Sequence, residues 1–151
     1  MPQISSQPPT DPMATSADPA SPAPLRLPDD RQLVMRVMPM PSDVNGNGDI
    51  FGGWIMAQVD VAGAVLPSRL AKGRIATVAV NQFIFKQAVS MNDLLSFYAK
   101  IERVGRTSIT VNVEVYAERD PANLHVVKVT EANLTYVAID REGQPRPIPK
   151  L

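Results

Sequence analysis

The sequence predicts an α+β domain in which a long antiparallel sheet wraps around one central helix. Residues 53–70 form a nearly uninterrupted apolar stretch that is long enough for a buried helix. After Gly73 the apolar residues recur at every second position instead, in segments separated by turn residues, and this is the period of strands. One helix followed by a run of strands is typical of the α+β class.

Strands are predicted on both sides of the helix. Residues 31–38 form the first strand, which Pro39 ends because proline lacks the N–H that a strand ladder needs. Four more strands are predicted after the helix, at residues 74–85, 95–102, 109–116 and 125–139. The corner at Gly105-Arg106 between the second and third of these four predicts a hairpin.

The helix carries sequence signals at both ends. A polar, glycine-rich loop over residues 42–51 leads into it. Pro67 is expected to kink or end the regular helix near Leu66, because its ring removes a backbone donor. Lys72 and Gly73 then provide a helix end before the next strand.

The composition limits the chemistry that is open to the chain. It has 151 residues, enough for one domain, and 15 Lys+Arg balance 15 Asp+Glu, so no bulk charge attracts nucleic acid or an anionic membrane. The absence of cysteine excludes disulfides and a cysteine nucleophile, and agrees with a cytoplasmic location. The single histidine, His125, leaves too little for a Ser-His-Asp triad or a histidine-rich metal site. We expect no metal, and any catalysis must use carboxylates, amides, hydroxyls and backbone dipoles.

Residues 1–28 differ in composition from the rest of the chain. They hold eight of the fifteen prolines together with many Ser, Thr and Ala residues. Such a segment cannot bury enough apolar surface to offset its ordering entropy, so we predict a disordered tail over 1–28 and a folded domain over 29–151. No basic start followed by an apolar core marks a secretory signal. The apolar stretch Ile50–Leu66 contains a central Asp60, which costs about 2.5–3.5 kcal/mol in a membrane, so a buried helix is favoured over insertion.

The helix has two unlike sides when it is drawn with 3.6 residues per turn. One side is bulky and is predicted to pack on the sheet; it comprises Trp54, Ile55, Val59, Val61, Ala62, Val65 and Leu66. The opposite side is mostly small and comprises Gly53, Met56, Ala57, Asp60, Gly63 and Ala64. A surface of Gly and Ala lets a ligand or another backbone approach closely, and Asp60 lies in the middle of it.

Asp60 is the candidate catalytic residue. An ionised carboxylate on a buried helix is costly unless it is paired or hydrated, and Asp60 could simply bond a neighbouring strand or a partner subunit. Three features favour a functional role: the small-residue face, the unusual loop before the helix, and the lack of another candidate catalyst. Carboxylates in such surroundings are functional candidates.

The loop before the helix partly matches known ligand-binding loops. Asp43, Asn45 and Asn47 fit an EF-hand calcium loop, but Trp54 stands where the bidentate Glu is required. No Gly-Lys-Ser/Thr follows the glycines, and the third glycine of a dinucleotide fingerprint is missing. A plain chain reversal is the simpler interpretation, because Gly and Asn tolerate positive φ.

The two glycines at the helix start indicate a further role. Gly52 and Gly53 leave the first N–H groups of the helix uncovered by side chains, and those donors with the helix dipole suit an oxyanion. Asn45 adds an amide that can orient a water or a carbonyl. Asp60 lies about two turns further along, on the side of Gly53. An oxyanion site and a carboxylate with water between them can hydrolyse an activated acyl group.

The loop and helix resemble those of the YciA-type acyl-CoA thioesterases, a family with the hotdog fold. The resemblance runs from about residue 31 to residue 149. Its motifs are Met40-Pro41-Ser42-Asp43, Asn45, Asn47-Gly48-Asp49-Ile50-Phe51-Gly52-Gly53-Trp54-Ile55-Met56, Gln58-x-Asp60, Gly73-Arg74, Thr77-Val78-Ala79-Val80, Val104-Gly105-Arg106-Thr107-Ser108 and Val113-Glu114-Val115.

This resemblance implies an enzyme that hydrolyses acyl-CoA to a free acid and coenzyme A, so that coenzyme A is part of the substrate and no cofactor is needed. Asp60 matches the catalytic aspartate, Asn45 the asparagine that places a water or carbonyl, and Gly53 or its neighbours the oxyanion donors. Hotdog chains of this family pair edge to edge as dimers, which assemble into a hexamer. The site lies between two subunits, so Asn45 and Asp60 of one site are expected on different chains.

The resemblance also implies that coenzyme A lies along a subunit boundary. The residues assigned to substrate binding are Gly52, Trp54, Arg74, Thr77, Gly105, Arg106, Thr107 and Ser108. Arg74 and Arg106 are the candidates for phosphate contact. The family commonly has Lys-Pro after the strand that ends at Phe85, whereas this chain has Lys86-Gln87, and the difference bears on acyl-chain preference or local strand geometry.

Of two alternatives to this enzyme, the first is rejected and the second is kept. A hydroxyacyl dehydratase of the same fold would need a histidine beside a carboxylate, and His125 is better explained as a strand or turn residue. A non-catalytic module that binds acyl-CoA would show binding without turnover. The set Asn45, Gly53 and Asp60 favours the enzyme. Whether Asp60 activates water or attacks the carbonyl to form an anhydride is left open.

Overall fold

The structure, a computed structural model, describes residues 26–150. Most of the predicted tail, residues 1–25, lies outside the described residues, and Arg26–Pro28 have no regular secondary structure. The elements are, in chain order, β1 (Gln32–Val37), a short 3-10 helix (Pro41–Asp43), α1 (Gly52–Gly63), α2 (Val65–Ala71), β2 (Ile75–Phe85), β3 (Leu94–Val104), β4 (Ser108–Arg119) and β5 (His125–Ala138). Each predicted strand is therefore present, and no strand end differs from its predicted position by more than three residues.

The five strands of the described chain form one antiparallel sheet in the order β1-β3-β4-β5-β2, so β1 and β2 are its edges. The predicted hairpin is confirmed, since β3 and β4 pair along their lengths and the N–H of Gly105 donates to the carbonyl of Ser108 at 2.7 Å. A Cβ at Gly105 would stand 2.8 Å from the Ser108 hydroxyl oxygen, so a larger residue at this corner would require the Ser108 side chain to rotate.

The core lies between α1 and the face of the sheet that wraps around it. α1 contacts β3, β4 and β5. Along β4 the residues Val111, Val113 and Val115 are fully buried, and their alternation with polar neighbours has the strand period. From the helix side Ile55, Val59 and Ala62 join them. The predicted α+β architecture, one helix wrapped by an antiparallel sheet, is confirmed.

The predicted single helix is divided in two at Ala64, slightly before the expected kink. Pro67 explains the place of the break, because a proline ring clashes with the carbonyl four residues earlier, which belongs to Gly63, the last residue of α1. At the other end of α2, Lys72 takes a left-handed conformation with φ of 51°. The N–H of Gly73 then bonds the carbonyl of Ser68 at 3.3 Å, which completes the predicted helix end.

The predicted sides of the helix were partly wrong. Val61 was assigned to the sheet and is 59% exposed, while Gly63 was assigned to the open side and is buried against Tyr136 and Val113. Nearly every residue of α1 is apolar, so hydrophobicity cannot distinguish the side that faces the sheet. No helix of the described residues is long and apolar enough to cross a membrane.

Candidate active site

Asp60 lies in the second half of α1, half-buried, with its carboxylate directed at the sheet. Its Oδ1 atom accepts a hydrogen bond from the Thr77 hydroxyl at 2.7 Å and from the Tyr136 hydroxyl at 3.2 Å. Within residues 26–150 no protein donor bonds its Oδ2 atom. One carboxylate oxygen is thus held by two hydroxyls, and the other is open to a water or a substrate.

The two donors stand side by side on neighbouring strands. Thr77 of β2 and Tyr136 of β5 are direct partners in the antiparallel ladder, so the strand register alone brings their side chains together beneath Asp60. Tyr136 also donates to the backbone carbonyl of Asp60 at 2.9 Å. Burial, the negative charge of Asp60 and this hydrogen bonding together hold the pKa of Tyr136 well above its ordinary value of 10.0. The phenol therefore stays protonated at neutral pH and acts as a hydrogen-bond donor.

Space for the Tyr136 hydroxyl is provided by Gly63, one turn further along α1. A Cβ at this position would overlap that hydroxyl oxygen and would touch Val113 at 3.4 Å. The small residue therefore allows close approach of the sheet to the helix, as predicted for this helix, but on the buried side. Neither Tyr136 nor Gly63 was predicted to act at the site.

The start of α1 has the donors that an oxyanion requires. The first helical hydrogen bonds come from the N–H groups of Trp54 and Ile55, which both bond Phe51 at 3.1 Å and 3.3 Å. The N–H groups of Gly52 and Gly53 have no acceptor among the described residues, and no side chain caps this end. Nothing lies within 4 Å of the place where a Gly53 side chain would stand. Two uncovered donors at the positive end of a helix dipole suit a developing negative charge.

Asn45 is committed on one side of its amide to the shape of the loop. Its Oδ1 atom accepts hydrogen bonds from the backbone N–H groups of Asn47 at 2.9 Å and Asp49 at 3.2 Å. Its Nδ2 group has no acceptor within residues 26–150, so it can still donate to a ligand. No three metal-binding side chains among the described residues lie together.

A cavity of about 320 Å³ opens beside this loop and the helix start. It is lined by Asn45, Asp49, Ile50, Gly52, Ile55 and residues 85–89. A Cβ at Gly52 would stand 3.3 Å from the Phe85 ring, so the glycine allows this wall to close up. Asp60 does not line the cavity, and a single chain therefore does not bring Asn45 and Asp60 to the same opening.

The structure does not bring all the residues predicted to bind coenzyme A to one place, since Gly52 lines the cavity described above and others lie elsewhere. Gly105 and Arg106 line a second cavity, of about 600 Å³, together with Leu70 and the C-terminal residues 147–150. The exposed Arg74 uses one guanidinium nitrogen to bond the carbonyls of residues 140 and 141, at 3.1 Å and 3.0 Å.

Four other residues of this set have contacts inside the chain. The Thr107 carbonyl accepts from Ala138 at 2.9 Å, and Ser108 closes the hairpin. Trp54 packs on the core, and Thr77 contacts Asp60.

Two comparisons of sequence identify the family of the chain. A model of the thioesterase superfamily matches residues 47–122, from the loop before α1 to the end of β4. The acyl-CoA thioester hydrolase YciA of Salmonella typhimurium is 44% identical over 121 residues, which is 78% of this chain and 90% of that protein. The chain belongs to the YciA family of acyl-CoA thioester hydrolases.

Solved structures of thioesterases agree with this membership. A hexameric broad-specificity acyl-coenzyme A thioesterase, crystallised as a mutant with an aspartate replaced by alanine, is 42% identical; it covers 80% of this chain and 88% of its own, with a TM-score of 0.77. A hexameric hotdog-fold thioesterase of Campylobacter jejuni is 40% identical over 81% of this chain and 93% of its own, with a TM-score of 0.77. The predicted hotdog fold is therefore confirmed for this YciA-family chain.

Sequence reasoning missed two of the residues around Asp60 in this thioester hydrolase. Tyr136 stands between Leu134 and Ala138 on the inward face of β5, where its hydroxyl is the one polar tip of an apolar row, and that was the available signal. Its partner could not be named, because the contact depends on how β5 pairs with β2 and how closely α1 approaches. Gly63 was noticed as small, yet its neighbour is fixed only by the three-dimensional packing.

Proposed function

We propose that the chain hydrolyses acyl-CoA thioesters to a free acid and coenzyme A, with Asp60 as the reacting carboxylate. The observation that carries this proposal is the unequal bonding of the two Asp60 carboxylate oxygens. Oδ1 accepts hydrogen bonds from two hydroxyl groups, and Oδ2 has no protein partner among the described residues. A carboxylate that is held on one side and open on the other is equipped as a general base or a nucleophile. Membership of the YciA family supports the same chemistry.

The thioester carbonyl would point at the uncovered N–H groups of Gly52 and Gly53. There the helix dipole and the two donors stabilise the negative charge that develops on oxygen. Asp60 then either activates a water or attacks the carbonyl carbon to give a mixed anhydride that water hydrolyses. The thiolate of coenzyme A leaves without a strong general acid. Coenzyme A belongs to the substrate, so the reaction as proposed uses no separate cofactor.

A second copy of the chain would complete the site. Asn45 lines a cavity that Asp60 does not reach, and both residues are needed if Asn45 places the water or the carbonyl. The edge strand β2, which carries Thr77, exposes Val78 at 58% and Val80 at 49%. An open strand edge with exposed valines is a pairing surface, because unpaired backbone groups and apolar side chains both gain from a partner strand. We propose dimers joined along β2 that assemble into a hexamer, and two solved structures of similar thioesterases are hexameric.

Coenzyme A would extend from the site along a subunit boundary toward the hairpin corner. The cavity of about 600 Å³ at Gly105 and Arg106 has mostly apolar walls, and two cationic residues, Arg106 and Lys150, are among those that line it. Such a lining suits a pantetheine arm that ends in phosphates. Arg74 keeps free guanidinium donors beside its two carbonyl bonds. The cysteine-free composition fits a reducing compartment, so we place the enzyme in the cytoplasm.

The alternative function is a module that binds acyl-CoA without hydrolysing it. The two are separated by incubating the wild-type chain with acyl-CoAs of short to long chain length while thiol release and binding are measured in parallel. Steady thiol release on at least one substrate is the expected result. Tight binding with no release on every substrate would replace the enzyme with the binding module.

A further inference from the structure

Asp60 is held from the sheet side by Tyr136 of β5, a residue that has no part in the proposed mechanism. Tyr136 is 1% exposed, so it is shielded from solvent and has no path to a substrate. Its hydroxyl bonds both the backbone carbonyl and the Oδ1 atom of Asp60, at 2.9 Å and 3.2 Å. The same phenol therefore fixes the helix backbone and the side chain of one residue. This is a constraint on where the carboxylate can point, rather than a contact to the reacting group.

The constraint depends on a matching gap in the helix. Gly63 lies over the Tyr136 hydroxyl, and any side chain there would push the hydroxyl away from Asp60. Thr77 stands beside Tyr136 in the ladder and donates to the same oxygen. Both donors thus bond Oδ1, and Oδ2 is left without a protein donor among the described residues.

We propose that Tyr136 and Gly63 form a positioning pair that fixes the Asp60 carboxylate through Oδ1 and so assigns Oδ2 as the oxygen that reacts. This inference rests on the proposed hydrolysis. It predicts that loss of the Tyr136 hydroxyl lowers kcat while KM stays nearly constant, because Tyr136 touches no substrate. Well-placed catalytic groups lose rate steeply when they are free to rotate.

The test is steady-state thiol release by Tyr136→Phe and by the matched control Tyr116→Phe. Tyr116 is 5% exposed and also donates to a carboxylate, that of Glu114, but it lies outside the core that α1 shares with the sheet. Both variants lose the same kind of hydrogen bond, so a purely structural effect would be similar in the two. A hydrogen bond to a charged group corresponds to a fall of roughly 10- to 100-fold in kcat for Tyr136→Phe. Tyr116→Phe is expected to keep kcat within about 2-fold, since it touches neither Asp60 nor the helix start.

A second pair of variants tests the close contact between Gly63 and the Tyr136 hydroxyl through thermal stability, measured as Tm. Gly63→Ala should lower Tm because its new methyl group overlaps the Tyr136 hydroxyl. Adding Tyr136→Phe to Gly63→Ala removes that overlap, since the ring carbon that bears the hydroxyl lies at 3.4 Å, an ordinary contact. The double variant should therefore regain most of the lost Tm while its kcat stays as low as that of Tyr136→Phe. If Gly63→Ala does not fold, Tyr136→Phe against Tyr116→Phe still decides the question.

Different failures have different signatures. If wild type releases thiol and both Tyr136→Phe and Tyr116→Phe keep the wild-type kcat, the positioning pair is refuted and the proposed hydrolysis stands. Equal losses in both variants would also refute it, because they would show a general cost of losing a buried hydroxyl. If wild type releases no thiol, the proposed function itself fails and the positioning role fails with it.

Discussion

Two buried tyrosines of this chain each donate a hydrogen bond to a carboxylate. One, Tyr136, belongs to the core beneath α1, and the other, Tyr116, lies outside that core. Tyr136 bonds Asp60 beneath α1, and Tyr116 bonds Glu114 within a charged cluster that also includes Arg31 at 2.9 Å from Glu114. Burial is the largest cause that raises the pKa of both phenols, and the neighbouring carboxylate adds to it. Each phenol is therefore harder to ionise in the folded chain than in the unfolded chain. The free energy of unfolding must then depend on pH in the alkaline range.

The sign of this pH dependence follows from the raised pKa values. The unfolded chain releases its tyrosine protons near pH 10 while the folded chain keeps them, so the free energy of unfolding should fall as pH rises above about 10. Tyr116→Phe should make that fall shallower, because one of the two linked groups is gone. Urea unfolding at several pH values between 8 and 11 measures the slope. The double variant with Tyr116→Phe and Tyr136→Phe should flatten the dependence of the unfolding free energy on pH further. An unchanged slope in Tyr116→Phe would contradict the link between the buried phenols and this pH dependence.

At the scale of elements, the segment between β2 and β3 is held in place by one ion pair. Asp93 is 2% exposed and accepts three hydrogen bonds from the Arg119 guanidinium, of 3.0 Å, 3.1 Å and 3.2 Å. The same guanidinium donates to the carbonyl of Ala88 at 2.7 Å, and the Asp93 carboxylate accepts from the N–H of Ser90 at 2.9 Å. Residues 85–89 form one wall of the cavity beside the helix start. The end of β4 thereby fixes a wall of the proposed site.

Arg119→Met should cost about 3 kcal/mol of unfolding free energy, since it leaves the buried Asp93 carboxylate without its counter-charge. Arg103→Met, at an exposed position of β3, is the matched control and should change the free energy by less than about 0.5 kcal/mol. Urea unfolding of the two variants gives the comparison. Adding Asp93→Asn to Arg119→Met should recover part of the loss, and equal stability of the two arginine variants would disprove the role of the pair.

The elements also show what periodicity can and cannot predict. Alternation located β4 and its hairpin partner because apolar residues recur at every second position of the sequence, although the structure buries residues 111–117 without a break. The α1 helix was located by its apolar length, yet that same uniform apolarity hid its orientation, and Val61 was placed on the wrong side. Pro67 predicted that the helix is interrupted, but it did not predict the residue. The interruption falls at Ala64 because the proline ring clashes with the carbonyl of Gly63, four residues earlier.

At the scale of the whole molecule, the proposed site needs two chains, and the sequence could suggest this only through its family. The sequence suggested Asp60 as a site residue because it is the only charged residue of α1, and it suggested the helix start because of its two glycines; both assignments stay predictions. The contacts of Asp60 with Thr77 and Tyr136 were not predictable, because they join residues 17 and 76 positions apart through strand register and helix packing.

Subunit complementation tests the two-chain site. Asn45→Ala and Asp60→Asn should each be nearly inactive as pure proteins. In a mixed dimer one site would hold both substitutions and the other neither. Random pairing makes half of the dimers mixed, so unfolding and refolding an equal mixture should restore about a quarter of wild-type activity. No recovery, with mixed dimers confirmed by differential tagging, would contradict a site shared between chains.

The most direct measurement of the central claim is kcat for thiol release by Asp60→Asn on the best acyl-CoA substrate. The matched control is Asp120→Asn, which makes the same chemical change in an exposed turn where an amide oxygen can still accept the bond from Ala122. We predict that Asp60→Asn loses about two or more orders of magnitude in kcat while it still binds coenzyme A, and that Asp120→Asn keeps wild-type activity. Comparable turnover by Asp60→Asn and wild type would show that another group carries the chemistry.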